Sequence, residues 1–301
     1  MPSHVTIIPR ISVVINTSNE ENNLPFALRS VRTWADELVV VDMYSEDRTV
    51  EIARQFGAKV YFYDRLGFAD PARAFAVAQA TGDWILMLDA DELVPFPLSR
   101  KLKEVARSNG ADIVQVHWIN YLLGAPVSYT GWGPHQDMHM RFFRRGFLEV
   151  TGSIHNFLKP LPGARILDIP YQPGLAIVHF NYVDSTHFLD KLNRYTSIEA
   201  RQAQQRGERV SEVRALIRAL REFWWRYIRA RGYRDGWRGF YLSLFMVFYR
   251  LATYAKLAEL ETVGSRPQID AHYRREAERI LQDYGEGGGK ERVESPEAQL
   301  S

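Results

Sequence analysis

Between residues 11 and 92 the chain keeps returning to one pattern, a short apolar run followed by polar residues and then by a segment with helical spacing. The runs are 11–16 (ISVVIN), 37–42 (ELVVVD), 58–63 (AKVYFY) and 84–88 (WILML), and each reads as a strand, the first and the fourth as buried ones. Between the first two, Leu24, Leu28 and Val31 recur at helical spacing. Ser45 to Arg48 opens a second expected helix through Phe56, with Ser45 or Asp47 as N-cap and Gly57 closing it. A third is expected over residues 68–80, stopped by Thr81 and Gly82. Strands alternating with helices imply right-handed βαβ units and a mostly parallel sheet, so the predicted class is α/β.

The fourth run stops abruptly at Asp89, Asp91 and Glu92. Three like charges within four residues repel one another, and a strand has no need of them at its end. A divalent cation accounts for them, because hard cations such as Mg²⁺ or Mn²⁺ take oxygen ligands and share them with substrate phosphates. A solvated acidic turn would look the same in these residues alone. Two other strand ends make the difference. Thr17, Asn19 and Glu20 follow the first run and Asp42 ends the second. Open α/β sheets place ligands at the carboxyl ends of their strands. Arg73, on the preceding helix, is a candidate partner for a diphosphate, although a lone arginine there also suits the surface. No Gly-x-Gly-x-x-Gly follows the first run and no Gly-Lys-Ser/Thr loop occurs, which disfavours dinucleotide and P-loop folds.

Beyond residue 95 the spacing predicts a helix over 98–108 and a strand over 112–118. Residues 120–173 are aromatic and rich in Gly and Pro, as in a less regular, partly antiparallel region, and 175–180 form another short strand. Long helices are expected over 186–205, 211–231 and 236–261, with a last amphipathic helix after the break at 264–267. The tail from Gly285 has the composition of a disordered segment.

The sequence contains no cysteine, which excludes disulfides, thiolate nucleophiles and cysteine-held metals and fits a reducing compartment. Neither a signal-peptide core nor a membrane-length apolar run is present. Net charge is only +2, but residues 191–256 carry fifteen basic against five acidic side chains, a net of +10, and the rest of the chain carries −8. Within that basic stretch, 223–229 and 237–250 interleave aromatic and basic residues. Such segments suit a membrane–water interface and anionic lipid, or else pack as a helical hairpin on the sheet. No nucleic-acid motif accompanies them, and no nucleic-acid partner is expected.

Three segments together resemble family 2 inverting glycosyltransferases of the GT-A fold: Ile11 to Asn22, Asp42 to Thr49 with its Asp-x-x-Ser-x-Asp-x-Thr pattern, and Asp89-Ala90-Asp91-Glu92 in the place of the metal-binding Asp-x-Asp. Within the family the chain looks most like the bacterial lipopolysaccharide-core β-1,4-glucosyltransferase group, through Arg141 to Arg145, Ile154-His155, His179 and Lys191 to Thr196. The resemblance covers roughly residues 10–260. It implies a Rossmann-like sheet flanked by helices over 10–182, with a nucleotide-sugar half (10–118) and an acceptor half (119–182). A basic aromatic helical extension (183–262) and a terminal helix with tail (263–301) would follow.

The resemblance further implies that Thr17, Glu20, Asp42 and Asp89 hold the donor, with Asp42 facing the base, and the strand-end reading adds Asn19 and Arg73 as donor contacts. Asp91, with Asp89 and His179, would hold Mg²⁺ or Mn²⁺. The implied activity is transfer of a hexose such as glucose from a UDP-sugar to a lipid-anchored saccharide, by a cytoplasmic protein on the inner face of the membrane. A polyprenyl phosphate or protein acceptor, or an inactive donor-binding scaffold, are the alternatives. The chain departs from its relatives after His155, where many carry Glu and this sequence has Asn156. An amide cannot take a proton from an acceptor hydroxyl, so the base must be sought among Asp137, Glu149 and Glu92.

Overall fold

The computed structural model describes residues 8–64, 70–150, 158–209 and 211–286; His155 and Asn156 lie outside them. In chain order the first half comprises β1 (Ile11–Thr17), α1 (Leu24–Val31), β2 (Glu37–Asp42), α2 (Thr49–Gln55), β3 (Lys59–Phe62), α3 (Asp70–Gln79), β4 (Trp84–Asp89), β5 (Glu92–Leu93) and α4 (Phe96–Ser108). The irregular region holds β6 (Ile113–Leu122), β7 (Ala125–Pro126), β8 (Met138–Arg144), β9 (Leu148–Val150), β10 (Leu158–Pro160), β11 (Ile166–Asp168) and β12 (Ile177–Tyr182). Helices α5 (Ser185–Gln205), α6 (Glu212–Phe223), α7 (Gly236–Thr262) and α8 (Arg266–Glu286) follow.

Along the main sheet the strand order is β3-β2-β1-β4-β8-β6-β12-β5. The first four strands are parallel, β8 runs antiparallel to both neighbours, and β6 and β12 are again parallel. The chain therefore winds outward from β1 through β2 to β3, then crosses back so that β4 lies on the other side of β1. That reversal opens a crevice at the carboxyl ends of β1 and β4. Register sets Asn16 beside Asp89 and Thr17 beside Asp42.

The apolar runs are continuous because both faces of the sheet are covered. On one face Val13, Ile15, Leu86 and Leu88 meet Leu24 and Leu28 of α1 and Leu98 and Leu102 of α4. On the other, Val14, Val41, Ile85 and Met87 meet Ala72, Ala76 and Ala80 of the α3 side, small residues that let a helix approach closely. Trp84 and Phe142 stack with centroids 4.6 Å apart where β4 adjoins β8, a contact worth about 1 kcal/mol beyond the area it buries.

Two expected helices differ from the structure. α2 begins at Thr49 rather than Ser45 and neither proposed residue is its N-cap; the Ser45 hydroxyl and N–H both bond Asp42. Asp47 instead accepts from the N–H groups of Glu21 and Thr49, tying the β1 loop to the helix start. The helix expected over 211–231 stops at Phe223, where one π-helical turn, Trp224–Arg229, and a 3-10 turn, Gly232–Asp235, redirect the chain into α7.

That turn is where the helices join the sheet domain. Asp235 accepts from the N–H groups of Ser128 and Tyr129, both at 2.9 Å. Arg226 donates to the Thr130 carbonyl at 2.8 Å and lies 4.2 Å over the Trp132 ring. Gly239 has room for no side chain, since a Cβ there would fall 1.8 Å from the Gly232 carbonyl oxygen. Leu122, Leu123 and Val127 complete a small core with Phe188, Leu192 and Leu242.

Candidate functional site

A cavity of about 630 Å³ occupies the crevice. Its walls include Asn16 and Thr17 at the end of β1 and Asn19 and Glu20 after it, Arg73 from α3, and Asp89 and Asp91 at the end of β4. Trp118, His139, Arg141 and His179 close it from β6, β8 and β12, and His187, Lys191 and Arg194 from α5. Residues from five strands and two helices distant in sequence thus share one space.

The acidic strand end is divided by its partners. Asp89 is held by Arg73, at 2.8 and 2.9 Å, and by Arg141, at 3.2 Å. Burial alone would raise its carboxyl, but the two guanidinium groups outweigh burial and hold it well below the usual carboxylate range. Glu92, fully buried beneath the cleft, accepts from the Asp89 N–H at 2.8 Å and from Arg141 at 3.1 Å. Burial pushes its carboxyl up to about 7, with Arg141 opposing and Asp89 assisting. Two arginines therefore face these two carboxylates, and Asp91 is the member of the cluster left beside the open space.

Across from Asp91 stands His179, and strand pairing places it there: His179 is in register with Glu92, and the Phe180 N–H donates to the Asp91 carbonyl at 2.9 Å. Asn120 orients the ring. The Asn120 amide nitrogen donates to the Trp132 carbonyl at 2.9 Å and to Asp137 at 2.6 Å. Its oxygen is left to accept from His179 Nδ1, 2.9 Å away. With Nδ1 protonated, Nε2 carries the lone pair of the neutral ring, and it lies 3.5 Å from Asp91 Oδ2. Without a cation between them, burial works against a charged ring, but Asp91 first, then Glu92 and Asp89, raise the His179 pKa.

Several buried polar atoms here have unmet hydrogen bonds, among them Trp118 Nε1 and two nitrogens of Arg141. Thr17 Oγ1 and Asn16 Oδ1 are buried without a partner, although both residues line the cleft. A buried polar atom left unpaired costs about 1–3 kcal/mol, so these atoms suit a ligand better than they suit the fold.

The remaining candidates are spread unevenly. Asn19 lines the cleft in a left-handed conformation, φ 57°, which lets its side chain accept from the Glu46 N–H. Glu20 faces the same space; burial raises its carboxyl, with Asn23 opposing and Asp91 assisting. Asp42 is fully buried and bonded to Ser45, so it shapes the loop after β2 rather than lining the cavity. Asp137 stands just behind the wall and accepts from His139 Nε2 at 2.6 Å, and His139 lies against Trp118 with centroids 3.9 Å apart. Glu149 is exposed on the ribbon formed by β9 and β10 and is absent from the lining. Neither Glu92 nor Glu149 is among the residues that line the cavity.

Several lining residues escaped the sequence reading. His139, Trp118 and His187 belong to no motif. Arg141, Lys191 and Arg194 stand in segments that carried the resemblance but had no role. The basic charge of Lys191 and Arg194 was a usable signal, since a site for a diphosphate needs cations as well as carboxylates.

Residues 12–158 match the family described as Glycosyl transferase family 2. An uncharacterized glycosyltransferase of Rickettsia typhi is 28% identical over 83% of this chain and 87% of its own length. The lipopolysaccharide core biosynthesis glycosyltransferase LpsC of Rhizobium meliloti is 25% identical over 88% of this chain and 98% of its own. Among solved structures, glucosyl-3-phosphoglycerate synthase from Mycobacterium tuberculosis, in complex with Mn²⁺, UDP and glucosyl-3-phosphoglycerate, is 26% identical. That match covers 36% of this chain and 44% of that one, with a TM-score of 0.32.

Proposed function

We propose that this glycosyltransferase, whose residues 12–158 match the family described as Glycosyl transferase family 2, moves a hexose from UDP to a lipid-anchored saccharide, with inversion and with the help of Mg²⁺ or Mn²⁺. The observation that carries the donor site is the facing pair of Asp91 and His179. A carboxylate and an imidazole lone pair directed at one space suit a cation better than they suit each other.

Among the described residues no three His, Asp or Glu side chains form a closed cage. Asp91 and His179 fit instead a cation that completes its shell from diphosphate oxygens and water, as Mg²⁺ commonly does. Once bound, the ion would neutralise charge developing on the departing diphosphate. Lys191 and Arg194 would add cationic contacts to the same group. Thr17 and Asn16 would satisfy their buried oxygens on the nucleotide side. Asp42 would act through the loop it fixes, presenting Tyr44, which stacks on Phe62 at 5.5 Å and leaves exposed aromatic surface for a base.

For the proton of the acceptor hydroxyl we assign His139, oriented by Asp137. This pair brings a carboxylate-backed imidazole to the cleft wall, whereas Glu92 and Glu149 do not reach it. The lipid-anchored acceptor rests on the near full-length likeness to the lipopolysaccharide-core enzyme.

A panel of nucleotide sugars with Mg²⁺ or Mn²⁺, scored for nucleoside diphosphate release, tests the reading. UDP release should depend on the cation and fall roughly 10²–10³-fold in Asp91→Ala, with the fold unchanged by circular dichroism. Full activity in that variant would remove Asp91 from the site. Donor binding without release from any sugar would favour the scaffold alternative.

A further inference from the structure

α6 is assembled inside out. Its small residues Ala215 and Ala219 are buried, whereas Val213, Leu216, Ile217 and Leu220, with Trp224 just beyond, are 51–66% exposed. Their spacing of three, four, seven and eleven residues makes one continuous stripe, the pattern that ordinarily faces a core. α7 repeats the arrangement. It buries Gly239, Leu242 and Ser243 and exposes Trp237, Tyr241 and Phe248. The two stripes adjoin where Phe223 and Tyr227 meet Phe240, at centroid distances of 6.2 and 5.7 Å.

We propose that this face is a membrane-docking surface, on which α6 and the amino-terminal half of α7 lie in the plane of an anionic lipid interface. Charge selects lipid over the other occupants of an apolar face. Arg214, Arg218 and Arg221 run along one side of the α6 stripe, and Arg229, Arg231 and Arg234 continue past its end, all exposed. No acidic residue stands between Val213 and Arg221. A second copy pairing through the same face would bring these arginines against their own equivalents, whereas anionic headgroups complement them. The exposed tryptophans and tyrosines have the apolar body and polar tip that suit a headgroup boundary. Among the described residues no helix is long and apolar enough to cross a membrane, so the contact lies along the surface. The surface is separate from the cleft, and the inference does not depend on the transfer chemistry.

Co-sedimentation of the full chain with vesicles tests it, using phosphatidylglycerol mixed with phosphatidylethanolamine in one set and phosphatidylcholine alone in the other. Wild type should partition to the anionic vesicles, more weakly at high salt, and little to the neutral ones. The double variant Leu216→Ser and Leu220→Ser should lose about tenfold or more of that partitioning while keeping its circular dichroism and its UDP release. Arg214→Glu with Arg221→Glu should lose the preference for anionic lipid. No vesicle binding by wild type, or equal binding by a folded double serine variant, would overturn the proposal. So would a wild-type dimer in sedimentation velocity that the serine variant dissolves, since the occupant would then be a second copy.

Discussion

The cleft and the helical extension depart from ordinary folding rules in opposite directions. In the cleft, charged and polar groups are buried: Glu92 and Arg141 are packed under the sheet edge beside the part-buried Asp89, and Thr17 and Asn16 have oxygens with no partner. In the extension, α6 buries only Ala215 and Ala219 while its large apolar groups, and several of those on α7, are exposed. Neither choice serves stability, and each makes sense once something outside the chain is added, a charged ligand in one case and a lipid surface in the other. The comparison says where to look for function: in residues whose environment opposes their chemistry.

If it holds, substitutions should separate residues that serve the fold from residues that serve a partner. The largest contrast lies within the extension. Leu242→Ala, in the small core beneath the helices, should cost about 2–5 kcal/mol in urea unfolding, whereas Leu220→Ala, on the exposed stripe, should stay within about 0.5 kcal/mol. Equal costs would mean that the stripe is packed in solution. In the cleft, Asn120→Ala removes the acceptor that orients His179 without touching the space beside Asp91. Mn²⁺ affinity measured by calorimetry should fall about 10–100-fold, and unchanged affinity would show that His179 does not depend on this tautomer.

Glu37, at the amino end of β2, marks what a purely structural carboxylate looks like in the same sheet. Burial opposes its charge, but bonds from Lys59, Ser12 and the Thr81 N–H outweigh burial and lower its pKa to about 2. Because the folded value lies below the unfolded one, its contribution is present above about pH 4.5 and is lost as pH falls toward 2. Glu37→Gln should therefore lower stability by roughly 2 kcal/mol at pH 7, with the gap to wild type closing at pH 3 and activity at pH 7 preserved. The smallest effect should come from Thr17→Val, which removes an unpartnered hydroxyl. Stability should hold or rise by up to about 1 kcal/mol, while the donor KM rises about tenfold. A loss of stability instead would mean that the hydroxyl is satisfied within the fold.

Much of the sheet and one wall of the cleft could be read directly from the sequence, because they depend on local pattern. Four apolar runs and their polar ends identify parallel strands, and a parallel sheet brings its carboxyl ends to one edge. Thr17, Asn19, Glu20, Asp89 and Asp91 follow from that alone; the transferase reading came from the resemblance of three segments to a known family and agrees with the relatives. Helix ends were less legible: Ser45 looks like a cap, but its hydroxyl is taken up by Asp42, three residues earlier in the chain.

What only the tertiary structure decided is partnership. That Asp89 is neutralised depends on α3 and β8, which bring Arg73 and Arg141 to it, and that Asp91 is left facing His179 depends on the pairing of β12 with β5, between segments some ninety residues apart. The orientation of His179 depends on Asn120 in the neighbouring strand. The direction of the apolar stripe on α6 depends on which face meets α7, and the helical period is the same whether large residues point in or out. Composition and spacing determined which groups the chain carries. Register and packing, which join distant segments, determined which of those groups are spent on one another and which remain for a ligand.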